Sequence, residues 1–228
     1  MFLKIILFTF LATLQIPSSQ RAEQAIKANQ AILKNAFVQQ GLHWGSAVYI
    51  RIFKASSELE LWVKSGSGFK LFKTYAICNF SGQPGPKLAT GDWQSPEGFY
   101  FVKPGQLNPW SQFHLSFNLG YPNKYDRSHG RTGSALMVHG DCVSVGCYAM
   151  TDPLIEEIYT LMVSAFEAGQ PFVRVHAFPF RMTADNLEAQ KTSHWYQFWQ
   201  NLKIGYDYFE THNRPPNVEV VDGEYVFD

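Results

Sequence analysis

From Val48 onward the apolar residues fall at every second position. Val48, Ile50 and Ile52 alternate with Tyr49 and Arg51, and Leu59, Leu61 and Val63 alternate with Glu60, Trp62 and Lys64. Successive side chains of a strand point to opposite faces, so this pattern predicts strands with one buried face. Gly66-Ser67-Gly68 reads as a turn and Phe69 to Phe80 as a further strand, giving hairpins of an antiparallel sheet. On this reading Glu58, Glu60 and Lys64 lie on the solvated face. Phe99 to Val102, Phe113 to Leu119 and Phe172 to Phe180 also read as strands, and Val218 to Val226 as a last edge strand. The fold class expected is mainly β with flanking helices, an α+β architecture.

Three segments carry a helical period instead. Ala22, Ile26, Leu33 and Phe37 recur through Ala22 to Val38, and Gly41 ends the run. This N-terminal helix, within 21–45, is expected on the outside of the domain. Asp152-Pro153 starts a second helix, as an N-cap acceptor followed by proline at the first helical position. Leu154, Ile155, Ile158, Leu161, Met162 and Phe166 form its apolar face, and Gly169 ends it. Ser193 to Leu202 reads as a short aromatic helix around Trp195, Phe198 and Trp199. Ser81 to Ser95, rich in Gly, Pro and Lys, and the polar stretch Tyr121 to Gly133 read as loops, with His129 a loop histidine. His176 reads as structural.

A chain of 228 residues is long enough for one domain with additions. No repeat or linker divides it, so residues 46–228 are read as one unit. Nineteen basic and nineteen acidic residues give no net charge. No basic run is present to neutralise phosphates, which argues against nucleic acid as partner. Residues 1–20 read as an export signal. Lys4 precedes the apolar run Ile5 to Leu14, which is too short to span a bilayer and is broken at Pro17-Ser18-Ser19. No later segment is apolar enough to cross a membrane, so no stable span is expected after signal removal.

The chemistry concentrates between Ser134 and Asp152. The apolar run Ala135 to Val138 reads as a buried strand that delivers His139, with Gly140 behind it. Eight positions on stands Cys147, preceded by Gly146 and Ser144. A cysteine nucleophile needs a base within hydrogen-bond reach, because the thiolate is the attacking form. Glycines allow a tight fold that aims backbone N–H groups at a developing oxyanion. Cys147 is therefore the candidate nucleophile and His139 the candidate proton acceptor and donor. The Gly140 carbonyl is a candidate to orient the imidazole. The N–H groups of Gly146, Cys147 and Tyr148 are candidates for the oxyanion hole, and Ser144 for loop support or substrate contact. Cys142 is the rival nucleophile. No metal-ligand spacing is present, and no metal or cofactor is expected.

His139-Gly140 followed by Ser144-Val145-Gly146-Cys147 resembles the signature of the YkuD-type L,D-transpeptidases. The usual pattern is His-Gly, a gap, then Ser-His-Gly-Cys. Here the gap is shorter, Val145 replaces the second His, and Ala149 stands where Arg or Asn is common. Those departures, with Gly-Asp-Trp-Gln-Ser-Pro-Glu-Gly at 91–98, resemble the YafK branch. The resemblance runs from about Tyr49 to the C-terminus.

It implies an antiparallel β-sandwich or barrel with a helix after the motif, and a Pro-x-Gly turn at 96–98 leading into a strand beside the site. It implies a Cys147 thioester formed on peptidoglycan stem peptides. The acyl group then passes to an amine, as in a transpeptidase, or to water, as in a hydrolase. Wall-bound lipoprotein is a further expected partner, with Arg131 as candidate for a stem-peptide carboxylate. The shortened loop and the missing second His lean towards cleavage of the diaminopimelate–lipoprotein link. A non-catalytic wall-binding protein is the alternative. With the export signal, the resemblance implies the periplasm of a Gram-negative bacterium. In that oxidising compartment Cys78 and Cys142 either pair, leaving Cys147 free, or all three cysteines stay unpaired.

Overall fold

The computed structural model describes residues 15–228, so the apolar run of the expected export signal lies outside the described residues. The chain first forms α1 (Gln20–Gln39), which opens where the Ser19 side chain accepts from the Ala22 N–H. It buries Ala22, Ala25, Leu33 and Phe37 and lies against α3 (Asp152–Glu167). One stripe buried and one wet is what its period dictates.

Two five-stranded sheets follow. The first holds β1 (Val48–Phe53), β2 (Glu58–Ser65), β3 (Gly68–Ala76), β5 (Gly98–Val102) and β10 (Val173–Phe178) in the order β3-β2-β1-β10-β5. Its pairings are antiparallel except β1 with β10, which run parallel from Tyr49 opposite Arg174 to Phe53 opposite Phe178. The second holds β4 (Asn79–Phe80), β6 (Leu107–Asn108), β7 (Ser116–Asn118), β8 (Met137–His139) and β9 (Tyr148–Ala149) in the order β4-β9-β8-β7-β6. Here β8 and β9 are the parallel pair. The sheets stay open rather than closing into a barrel.

One apolar core joins Ile50, Ile52, Leu61 and Val63 of the first sheet, Phe117 and Val138 of the second, and Ile155, Ile158, Leu161 and Met162 of α3. Each such side chain taken from water contributes roughly 1.5–3 kcal/mol. The expected mixture of strands and flanking helices is therefore the one found.

The opposite face of the first sheet is partly covered, which corrects the reading of Glu60. The aromatic helix does not stop at Leu202 but runs as α5 (Tyr196–His212), until Asn213 adopts a left-handed conformation. It covers Phe53, Phe99 and Phe178 with Trp199, Leu202 and Tyr206. Gly205 permits the close approach, since a Cβ there would stand 2.6 Å from Phe99 Cζ. Under α5, Glu60 is only 3 % exposed and pairs with Arg51 and Arg181, each at 2.8 Å. Glu58 pairs with Arg181 at 2.7 Å, while Lys64 stays exposed as expected.

Smaller differences have local causes. The Phe69–Phe80 strand is split into β3 and β4, and the Phe113–Leu119 strand shrinks to β7. Tyr121–Gly133 contains the short α2 (Lys124–Ser128), nucleated by reciprocal Asn123 and Asp126 capping bonds. The expected edge strand at the C-terminus is a hairpin, β11 (Val218–Val221) and β12 (Glu224–Phe227), turned at Asp222-Gly223 with positive φ at both.

Candidate active site

The site is built on the turn from β8 to β9. Val138 lies opposite Tyr148 and His139 opposite Ala149, so the chain joins two parallel neighbours through the eight residues 140–147. Parallel neighbours ordinarily need a crossover of about a dozen residues or more. Here β8 and β9 are only three and two residues long, so little distance must be recovered. The turn uses left-handed backbone at Asp141 and Cys142, φ 63° and 34°. These are uncommon for non-glycine residues, and neighbouring elements hold them in place. Asp141 N donates to Asp152 Oδ1 at 2.9 Å, Cys142 N donates to Met150 O at 3.3 Å, and Cys142 is disulfide-bonded to Cys78 beside β4. Asp152, read as a helix cap, is instead the first residue of α3, and its carboxylate holds this turn. Gly140 is required by crowding, because a Cβ there would lie 2.5 Å from Asp152 Oδ1.

The pairing of Cys78 with Cys142 leaves Cys147 as the free thiol. Its Sγ accepts from the Met137 N–H at 3.4 Å and lies 3.7 Å from the Ala135 carbonyl. Burial pushes the thiol up from its ordinary value, against the Met137 N–H and the positive charge of Lys87, which pull it down. His139 is 2 % exposed, and its Nδ1 lies 2.5 Å from the Gly140 carbonyl. Its ring also packs on Phe113, with centroids 4.8 Å apart. Burial pushes the imidazole down, against the Gly140 carbonyl and Asp141. The neutral ring that results donates from Nδ1 to Gly140 and keeps the Nε2 lone pair for accepting a proton. At neutral pH the two groups thus rest as thiol and imidazole, with Sγ on Met137 N and Nδ1 on Gly140 O rather than on each other.

The remaining candidates divide by their partners. Ser144 Oγ donates to the Cys147 carbonyl at 2.7 Å and accepts from Gly146 N at 3.2 Å. Ser144 thus supports the loop, and the Gly146 N–H is already engaged. Tyr148 is a fully buried strand residue, paired to Phe80 on one side and Val138 on the other, with its hydroxyl on the Pro96 carbonyl at 2.6 Å. The Cys147 N–H has no acceptor among the described residues, unlike the Gly146 N–H.

Arg131 is neither a surface residue nor an open anion site. It is 7 % exposed, bonds Asp126 Oδ1 at 2.8 Å and lies over the rings of Tyr125 and Phe198. The buried Asp126 carboxylate demands such a partner. Sequence reasoning missed Lys87, whose buried ammonium bonds Asp92 at 2.5 Å and whose charge acts on the Cys147 thiol. It also missed Ser81 and Ser95. Ser81 Oγ meets Ser144 Oγ at 2.8 Å, and Ser95 Oγ donates to the Cys147 carbonyl at 3.0 Å. All three sit in the Gly/Pro-rich loop, and although Ser95 falls within the 91–98 segment, no local pattern gives any of them a role.

One free thiol, Cys147, and one buried histidine, His139, thus stand at the adjoining ends of two short paired strands. The chain belongs to the YkuD family, the L,D-transpeptidase catalytic domain, which matches residues 47–173. This family modifies peptidoglycan. Over 182 residues the chain is 52% identical to "Putative L,D-transpeptidase YafK" of Escherichia coli K12, covering 80% of this chain and 74% of that one. The protein of the same name from Escherichia coli O157:H7 matches to the same extent. Among solved structures, the chain is similar to the helical cell shape determining protein Pgp2 of Campylobacter jejuni, at 16% identity and TM-score 0.48 over 79% of this chain and 75% of that one. Bd1075 of Bdellovibrio bacteriovorus is similar at 16% identity and TM-score 0.44 over 78% of each. No helix among the described residues is long and apolar enough to cross a membrane.

Proposed function

We propose that the protein is an exported, periplasmic cysteine enzyme that acts on peptidoglycan stem peptides through a Cys147 thioester, with His139 as general base. The observation that carries this reading is the division of the cysteines. Two are locked in a disulfide, and the third lies against an N–H donor of the strand that ends at a neutral, oriented histidine.

In the proposed cycle His139 Nε2 takes the Cys147 proton as sulfur attacks the donor carbonyl. The Cys147 N–H stabilises the oxyanion. Collapse expels the amine, which leaves with the proton returned by His139, and a thioester remains. Water deprotonated by His139 then cleaves the thioester to acid and thiol. An amine in place of water forms a new amide.

Hydrolysis of the diaminopimelate–lipoprotein link is the favoured outcome. The acceptor side departs from the family pattern at Val145, which is 63 % exposed and offers neither base nor donor. The test incubates the chain lacking residues 1–20, beside Cys147→Ala, with sacculi carrying bound lipoprotein, and reads products by mass spectrometry. Free lipoprotein that depends on Cys147 supports the hydrolase, and new cross-links or exchanged terminal amino acids make it a transpeptidase. No product from a folded, reduced sample leaves a wall-binding protein.

A further inference from the structure

Ser95 lies fully buried beneath the catalytic turn, and each of its polar atoms has a partner. Its Oγ donates to the Cys147 carbonyl at 3.0 Å and accepts from Ser81 N at 3.1 Å. Its own N donates to Ser81 O at 2.9 Å, and its carbonyl accepts from Lys54 Nζ at 3.0 Å. Lys54 is itself buried, and its ammonium also donates to Gly85 O at 2.7 Å and Glu97 Oε1 at 3.0 Å. The three ammonium donors thus meet three acceptors. Glu97 is closed just as fully, with Oε1 accepting from Gly85 N at 2.6 Å and Oε2 from Trp199 Nε1 at 2.9 Å. Both side chains of the ion pair are 0% exposed.

An ion pair taken wholly from water costs solvation that only complete hydrogen bonding offsets. Here that bonding gathers a loop with little regular structure around one point. The Cys147 carbonyl receives two hydroxyl donors, from Ser144 and Ser95. Fixing this carbonyl fixes the peptide that follows Cys147 and, with it, the direction of Sγ toward the Met137 N–H. Trp199 belongs to α5, outside residues 47–173 of the family match, so the C-terminal helix reaches the turn through Glu97, Lys54 and the Ser95 carbonyl.

We propose that Ser95 is a positioning residue for Cys147, held in place by the Lys54–Glu97 pair and Trp199 of α5. The inference rests on the reading of Cys147 as nucleophile.

The experiment uses the full chain and the variants Ser95→Ala, Ser95→Thr and Trp199→Phe. Alkylation of Cys147 by iodoacetamide is followed across pH, beside melting temperature and steady-state turnover of lipoprotein-bearing sacculi. Ser95→Ala is expected to melt near the parent temperature, yet to alkylate at least fivefold more slowly at pH 8, with its pH midpoint moved upward. Its kcat is expected to fall at least tenfold with KM within twofold, and Ser95→Thr to restore both. Alkylation and kcat within twofold of the parent, in folded Ser95→Ala, would overturn the proposal. Should Ser95→Ala not fold, Trp199→Phe decides. A threefold or greater loss of alkylation rate supports the linkage, and an unchanged rate refutes it. Absence of product from the unsubstituted chain would instead sink the functional reading, because alkylation reports the thiol's placement without any substrate.

Discussion

Met137, two residues before His139 on β8, donates its N–H at 3.4 Å to Sγ of Cys147, the residue just before β9. The β8–β9 register therefore sets where the turn brings Cys147 back relative to His139. His139 ends β8 and Cys147 immediately precedes β9, so a change that slips β9 along β8 moves one relative to the other.

Replacing His139 with Gln keeps a polar side chain of similar reach but removes the base. Turnover is expected to fall about 10²–10⁴-fold, the usual contribution of a positioned proton acceptor. In the parent, burial of His139 pushes its imidazole down. The acid limb of kcat/KM is therefore expected below about pH 6.5, the ordinary histidine value. A limb at or above that pH would show that another group is the base.

Thiol reactivity follows the opposite sign. Burial pushes Cys147 up, so the midpoint of iodoacetamide alkylation against pH is expected above that of a free cysteine. Lys87→Met removes a positive charge that favours the thiolate, so its midpoint should lie higher still. A lower midpoint in Lys87→Met would contradict the electrostatics of the site.

Free-thiol titration of the unreduced, denatured chain is expected to yield one thiol, from Cys147. The bridge closes 64 residues of sequence separation. Cys78→Ser/Cys142→Ser is therefore expected to lose about 4 kcal/mol of stability on the loop-entropy model. Three thiols in the titration, or an unchanged denaturation midpoint, would rule against the bridge.

The buried ion pair makes a sign prediction. Lys54→Met leaves Glu97 buried without its countercharge and should cost about 3–5 kcal/mol. Lys54→Met/Glu97→Gln removes both charges and should recover a substantial part of that loss. Denaturant midpoints of the single and double variants check this, and additive losses would mean that the two side chains do not act as a pair.

Stability should also fall in acid through His176. Burial, then Arg174 and Arg51, hold this ring well below the ordinary histidine value, with Tyr49 Oη 2.7 Å from Nδ1. The folded chain keeps His176 neutral while the unfolded chain takes the proton. Its contribution is thus complete above about pH 6.5 and is lost as pH falls from there towards the folded pKa, by about 1.4 kcal/mol per pH unit. A nuclear magnetic resonance titration in which His176 protonates near pH 6.5 in the folded chain would contradict this.

Much of the molecule is legible from local pattern. The alternation at Val48–Val63, the α3 stripe and the His139–Cys147 motif each depend on neighbours a few residues apart, and the structure keeps the strands and helices that they predict. What escapes depends on distant partners. Glu60 looks wet because its strand alternates, but α5 folds over that face from more than 130 residues downstream. Arg131 looks like an anion clamp because it stands in a polar loop, but Asp126 turns inward beside it. Ser95 looks like an ordinary turn residue until the loop is brought under Cys147.

By itself the sequence determined the class of architecture, the nucleophile and base candidates, and the family resemblance. Periodicity and motif spacing are properties of adjacent residues, and they survive whatever the rest of the chain does. Only the tertiary structure decided which cysteines pair, which N–H of the turn is left without an acceptor, and which charges are buried. Each of those depends on distant groups, such as Glu60 and Arg181 at 121 residues apart, sharing one desolvated volume, where an unpartnered polar group is costly and the fold must supply its match.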